Sequence, residues 1–443
     1  MKRETVPRLS KILCIIYTTL VFIGILLPDE YVLGIVNIDV LPSAFLMILK
    51  WFNYVGILAF PIAVFFKRPT FKKICVYFCS ICAVIFLFLY SDVIKGYISP
   101  KGTGICDIRY LPSFIEAFMK NIVFRSIMFF GTILVELVLV GFIVYDDVQT
   151  DKTLNRFKKA DIINLVIILP LLILSILPPY ALETIFNTYT NVIFKAFSIP
   201  HFIWLAAIVL EIVLCTIIFR KKSKEDSYIL VFILAMSLLV QFNQLFSTLG
   251  ELTCKRMPLQ LCNIAAYLTI ISIAFNKRQL FLFNALVNIP GALIAVMVMD
   301  VEVKGILYWS NIHYIVEHHN VIVVPLLCLL LGVFEPLKKE DFKTYVIYFV
   351  GYFLLVLTLG STFNALYQST GSDYFRCNYL FMFDKGTAER LIGNLANLFD
   401  IKISIGALTL YPAIQLGVFV VFFIIGTLTF IILYKSIKYR RTE

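Results

Sequence analysis

Charge is what this chain has least of. Only 15% of its 443 residues are Asp, Glu, Lys or Arg, against roughly 25% in an ordinary soluble domain, while 60% are hydrophobic and 41 are Phe. Too little polar surface remains to coat a water-soluble globule, so the chain reads as a membrane protein. Histidine is scarcer still: there are four, His201, His313, His318 and His319, and none precedes residue 201. The ten cysteines show no regular framework. Cys75, Cys79 and Cys82 share one helical face, but no His or carboxylate joins them in that segment, and a zinc site needs four ligands, so no metal site is expected. Cys106, Cys254 and Cys377 fall in loops of one side, where spacing alone does not pair them. No small-residue cleavage site follows the first apolar run, only Leu27-Pro28-Asp29-Glu30, so that run is read as a retained helix.

What is present is a succession of apolar runs near the roughly 17 to 25 residues that span a bilayer. They lie at about 12–27, 44–66, 74–90, 127–145 and 162–177, then 202–219, 228–246, 259–275, 280–298, 315–333, 342–359 and 411–434. The expectation is an all-α polytopic bundle of about twelve transmembrane helices. A net charge of +11 does not point to nucleic acid, because Lys and Arg form short clusters between the runs rather than patches with exposed aromatics. Alternating the runs across a membrane puts most of the basic residues on one side, and the positive-inside rule then places both termini in the cytoplasm. The abundance of Ile, Phe, Lys and Asn fits an AT-rich bacterial genome, hence a multi-pass protein of the plasma membrane.

The division of the chain is expected in the outer loop before His201. Residues 1–196 form a five-helix membrane extension poor in polar groups; residues 197–443 form a seven-helix core with every His of the chain. Val135-Glu136-Leu137-Val138-Leu139 is similar to Leu210-Glu211-Ile212-Val213-Leu214, each at mid-span. A carboxyl group within the membrane is a functional candidate, or equally a partner for another helix. In the long outer loop 360–410, Leu391, Ile392, Leu395, Leu398 and Phe399 fall at helical spacing, which suits a helix in the headgroup layer or one packed on the bundle.

The alternation also gathers polar residues that are distant in sequence. His201, Cys262, His318 with His319, and Asn378 with Tyr379 all fall at the outer face. Pro258 suits a first helical position, which puts Cys262 about four residues in, roughly 6 Å along the axis. The positive end of a helix favours a thiolate, the form needed of a nucleophile. Gln260 offers two N–H groups to a developing oxyanion or to a neighbouring backbone. His318 is the natural proton carrier, whereas Glu317 points off at about 100° on a helix and orients it poorly. His313 and His319 read as interfacial. Arg376, Lys255 and Arg256 lie on the same side, to hold a phosphate headgroup or to solvate the interface.

The run Pro258-Leu259-Gln260-Leu261-Cys262 with Asn263-Ile264-Ala265-Ala266-Tyr267-Leu268 resembles the signature of the YwaF-like integral membrane proteins, relatives of animal ether-phospholipid cysteine acyltransferases. Phe197 to His201, Ile315 to His318 and Asn378 to Phe381 resemble further segments of those proteins, in the same order, so the likeness covers about residues 197–440. It implies that Cys262 accepts an acyl group from a phospholipid as a thioester, that His318 acts as acid and base, and that a lysophospholipid or water takes the chain. His201, Gln260, His319, Arg376, Asn378 and Tyr379 are then the expected substrate-binding set, and the reaction needs neither metal nor soluble cofactor. The first five spans, the stretch Asp373 to Cys377 and the second imidazole of His319 depart from the pattern. The alternative reading, favoured by the twelve-span layout with Glu136, Glu211 and Pro170, is a transporter or lipid flippase without covalent chemistry. A membrane scaffold is the third.

Overall fold

The computed structural model describes residues 5–26, 48–88, 121–150, 152–179, 192–249, 257–299, 305–384 and 399–437, with a few single positions between them. Cys106, Lys255, Arg256 and most of the expected loop helix at 387–399 lie outside the described residues. Among the described residues, eleven helices are long and apolar enough to cross a membrane, and a shorter apolar one, Leu261–Ala274, brings the number to the expected twelve. They are α1 (Thr5–Leu26), α2 (Ile48–Phe65), α3 (Pro69–Phe88), α4 (Ile122–Gln149), α5 (Lys159–Ile176), α6 (Ile199–Phe219), α7 (Lys224–Leu249), α8 (Leu261–Ala274), α9 (Arg278–Met297), α10 (Trp309–Leu330), α11 (Asp341–Thr370) and α12 (Pro412–Ser436). The fold is a polytopic helical membrane bundle. One small hairpin interrupts it, pairing Ile403–Ile405 with Leu408–Leu410 around Gly406, whose φ of +61° suits the tight turn.

Helix ends follow local chemistry. Asn121 caps α4, its Oδ1 accepting from Val123 N at 2.8 Å and Phe124 N at 3.3 Å. Prolines sit in the first turns of α3, α6 and α12, where a missing N–H costs nothing. Gly371, at φ +66°, ends α11 in the left-handed region and bonds back to Tyr367 O.

The chain falls into two compact units. The first is built on α1 to α5, in which α4 packs against α1, α2 and α3. Lipid tails are as apolar as Leu, so close packing rather than water exclusion holds such helices together, and small residues permit it. Gly56 of α2 lies directly against Tyr17 of α1, with no room for a Cβ. The basic cluster at the start of α3 is spent on ion pairs: Lys72 reaches Asp147 at 3.4 Å and Lys73 reaches Asp161 at 2.9 Å. These bonds put the start of α3, the end of α4 and the start of α5 at one level, as the alternation requires.

The second unit contains α6, most of α7 and α8 to α12. Here α9 and α10 are the interior helices, with 72% of each span buried, while α6 and α12 show their sides to lipid, with 11% and 17% buried. Arg278 at the start of α9 binds Asp341 at the start of α11 and also donates to Glu335 O and Pro336 O, so these ends too share a face. At the opposite end, an isolated bridge pairs Ile193 with Gly305, joining the approaches to α6 and α10.

Candidate active site

The site lies in the second unit, where the starts of α6, α8 and α10 meet the end of α9 and the segment after α11. Residues Met257 to Gln260 are turned rather than helical: Leu259 N donates to Met257 O at 2.7 Å, and Gln260 is extended at φ −74°, ψ 151°. Pro258 is therefore not at the first helical position; α8 begins at Leu261, and Cys262 is its second residue rather than its fifth. The cause is tertiary. The Tyr352 hydroxyl of α11 binds Leu259 O at 2.6 Å, and the Gln260 side chain is engaged elsewhere, which holds this stretch out of the helix. Cys262 is closer to the positive end of α8 than expected, and its thiol lies against the backbone N–H groups of Cys262 and Asn263. It is half-buried, whereas Cys254, Cys328 and Cys377 are fully buried.

Two further groups face this thiol. It donates to Asn263 Oδ1 at 3.2 Å, and the Glu317 carboxyl group of α10 lies beside it. Glu317 is 5% exposed, and its Oε2 stands 3.6 Å from His313 Nε2, one turn earlier on the same helix. A Cys–Glu–His line therefore runs from α8 into α10. The ion partner of Glu317 is His313, while the His318 Nδ1 bond runs to Tyr314 O. A partner on another helix carries no mark in the sequence; the available signal is an acidic residue in an otherwise apolar span.

His318 is buried and lies over the Tyr314 ring at a centroid distance of 4.1 Å. Its Nδ1 is 2.8 Å from Tyr314 O. A carbonyl only accepts, so Nδ1 carries the proton and Nε2 presents a lone pair. That lone pair has no hydrogen-bond partner among the described residues, and no hydrogen bond joins His318 to Cys262. His319 points elsewhere: its Nε2 binds Glu211 Oε2 at 2.7 Å, tying α10 to the middle of α6.

The remaining expected residues are held as follows. The Gln260 amide donates to Asn378 O at 3.2 Å and accepts from Leu380 N at 2.9 Å, so it holds backbone rather than lying free. Asn378 binds Asp384 and Phe383 N, and the buried Tyr379 hydroxyl binds Cys254 O. Arg376 is exposed and stacks on Tyr367 at 5.9 Å. Cys254 and Cys377 are free thiols, both held above their ordinary range by burial, Cys377 at about 12. His201 is wholly buried: Nδ1 accepts from Phe197 N at 3.0 Å and Nε2 donates to Val296 O at 3.0 Å. This imidazole ties the start of α6 to the end of α9. Its replacement by Leu is expected to lower stability in a thermal melt by about 1–2 kcal/mol, with KM for any substrate unchanged; a changed KM at wild-type stability would make it a binding residue.

The TMEM164 family model matches residues 196–434, more than half of the chain. The chain belongs to the TMEM164 family. No curated protein and no solved structure matches it. The TMEM164 match begins just before α6 and ends within α12, so it takes in Cys262, Glu317, His318 and the segment that Gln260 holds, while α1 to α5 stand outside it.

Proposed function

We propose that the TMEM164-family region is a membrane cysteine acyltransferase that moves an acyl chain from a phospholipid to a lysophospholipid at the outer membrane face. Cys262 Sγ attacks the ester carbonyl of the donor. A carbon–sulfur bond forms, the ester carbon–oxygen bond breaks, and the thiol proton passes through His318 Nε2 to the departing lysophospholipid hydroxyl. The second half-reaction runs in reverse with a new lysophospholipid; water in its place yields a fatty acid, which is the hydrolase variant. The first hydrogen bond of α8 is Ile264 N to Gln260 O, so the N–H groups before it have no acceptor within the helix and suit a developing oxyanion. Glu317 holds the thiol in place.

The observation that carries this reading is the half-buried thiol at the second position of α8, beside a buried carboxyl group whose neighbour in sequence is an imidazole with an unused lone pair. Purified protein incubated with phospholipid vesicles is expected to gain one acyl mass on Cys262, detected by intact-mass spectrometry and removed by neutral hydroxylamine. Acyl exchange that proceeds with no such adduct, or continues in Cys262→Ser, would sink the proposal.

A further inference from the structure

The first unit, outside the family match, carries a polar centre of its own. Glu136 lies in the middle of α4, is 0% exposed, and neither of its carboxyl oxygens has a hydrogen-bond partner among the described residues. The groups that face it come from all three helices packed on α4: Tyr17 on α1, Asn53 on α2, and Cys75, Cys79 and Cys82 on α3. No Lys or Arg is among them. The Tyr17 hydroxyl is spent on Asn53 O at 3.3 Å. Asn53 is itself 1% exposed, and its side-chain Oδ1 is buried without a hydrogen-bond partner among the described residues. The weak donors left near Glu136 are thiols and the Asn53 amide, and none makes a close hydrogen bond to either carboxyl oxygen. The helix opposite is locally widened: Ile74–Cys79 forms a π-turn, a feature that recurs at functional sites.

We propose that this unit holds a proton-binding site within the membrane, with Glu136 as the group that carries the proton. A carboxylate without a counter-charge or a close hydrogen bond is very costly in an apolar interior. One proton removes the charge and turns an acceptor into a donor in the same step. An alkali cation is the poorer occupant, because hard cations seek a fuller shell of oxygens and the remaining neighbours are thiols.

Dicyclohexylcarbodiimide, which attacks protonated carboxyls in apolar surroundings, is the probe, used on the full-length protein in phospholipid vesicles. Expected is a carbodiimide adduct on the peptide containing Glu136, falling as pH rises, absent in Glu136→Gln, and indifferent to NaCl. Infrared difference spectra, which need no reagent access, are expected to show a protonated-carboxyl C=O band that Glu136→Gln removes. Absence of both the adduct and the band, or protection of Glu136 by sodium, overturns the proposal.

Discussion

Replacement of His318 by Ala is expected to slow acyl transfer by roughly 10²–10⁴-fold, the usual worth of a positioned acid and base, while the protein stays folded. The argument rests on what the imidazole does and does not hold together. Its one hydrogen bond runs to Tyr314 O on its own helix, so no inter-helix tie is lost with it. That bond instead fixes the proton on Nδ1 and leaves Nε2 to receive the thiol proton and deliver it to the leaving alkoxide. Without it, thioester formation and breakdown both slow. The measurement is the rate of appearance and decay of the Cys262 acyl adduct, with thermal stability followed in parallel. A variant that melts early and loses activity in proportion would assign His318 to packing. One that transfers at the wild-type rate would leave the Glu317–His313 pair as the proton carrier.

The spans were legible because the bilayer enforces a length. Every apolar run of suitable size became a helix among the described residues, and within each unit a basic cluster ties helix starts and ends together, Lys72 and Lys73 in the first and Arg278 in the second, each bound to acidic residues of other helices. Counting alone expects His201, Cys262, His318 and the Asn378–Tyr379 segment at one face; of these, the structure ties the start of α8 to the Asn378–Tyr379 segment through Gln260, and His201 to the end of α9. Finer features did not follow from counting, because each depends on a partner from elsewhere in the chain. The start of α8 obeys Tyr352 and the segment after α11 rather than the helix-starting habit of Pro258. Glu317 finds a thiol on a different helix. His319, alike in sequence context to His318, turns to Glu211, and His201 spends both nitrogens on backbone. Side-chain partners of this kind leave only a weak sequence trace, a polar residue where an apolar one would cost less.

Gln260 shows how much can rest on one such partner, and its replacement by Leu is expected to free the segment 378–383 and lower acyl transfer by roughly a hundredfold. Leu380 and Phe381 stand at φ +51° and +58°, a region that non-glycine residues enter only when their surroundings hold them there. The holding bonds are few: Gln260 to Asn378 O and Leu380 N, Asn378 Oδ1 to Phe383 N, and the Tyr379 hydroxyl to Cys254 O, with Phe383 seated against Gly360. Leu at 260 fits the volume but strands one carbonyl and one N–H, at roughly 1–3 kcal/mol each, enough to let the strained turn relax. Since Gln260 also sets the residue before α8, that relaxation displaces Cys262 relative to Glu317. Amide exchange at 378–383 should rise in Gln260→Leu, whereas Gln260→Glu, which keeps the acceptor for Leu380 N, should fall between the variant and the wild type. Unchanged exchange with lost activity would return Gln260 to the other role its chemistry permits, a donor to the oxyanion itself.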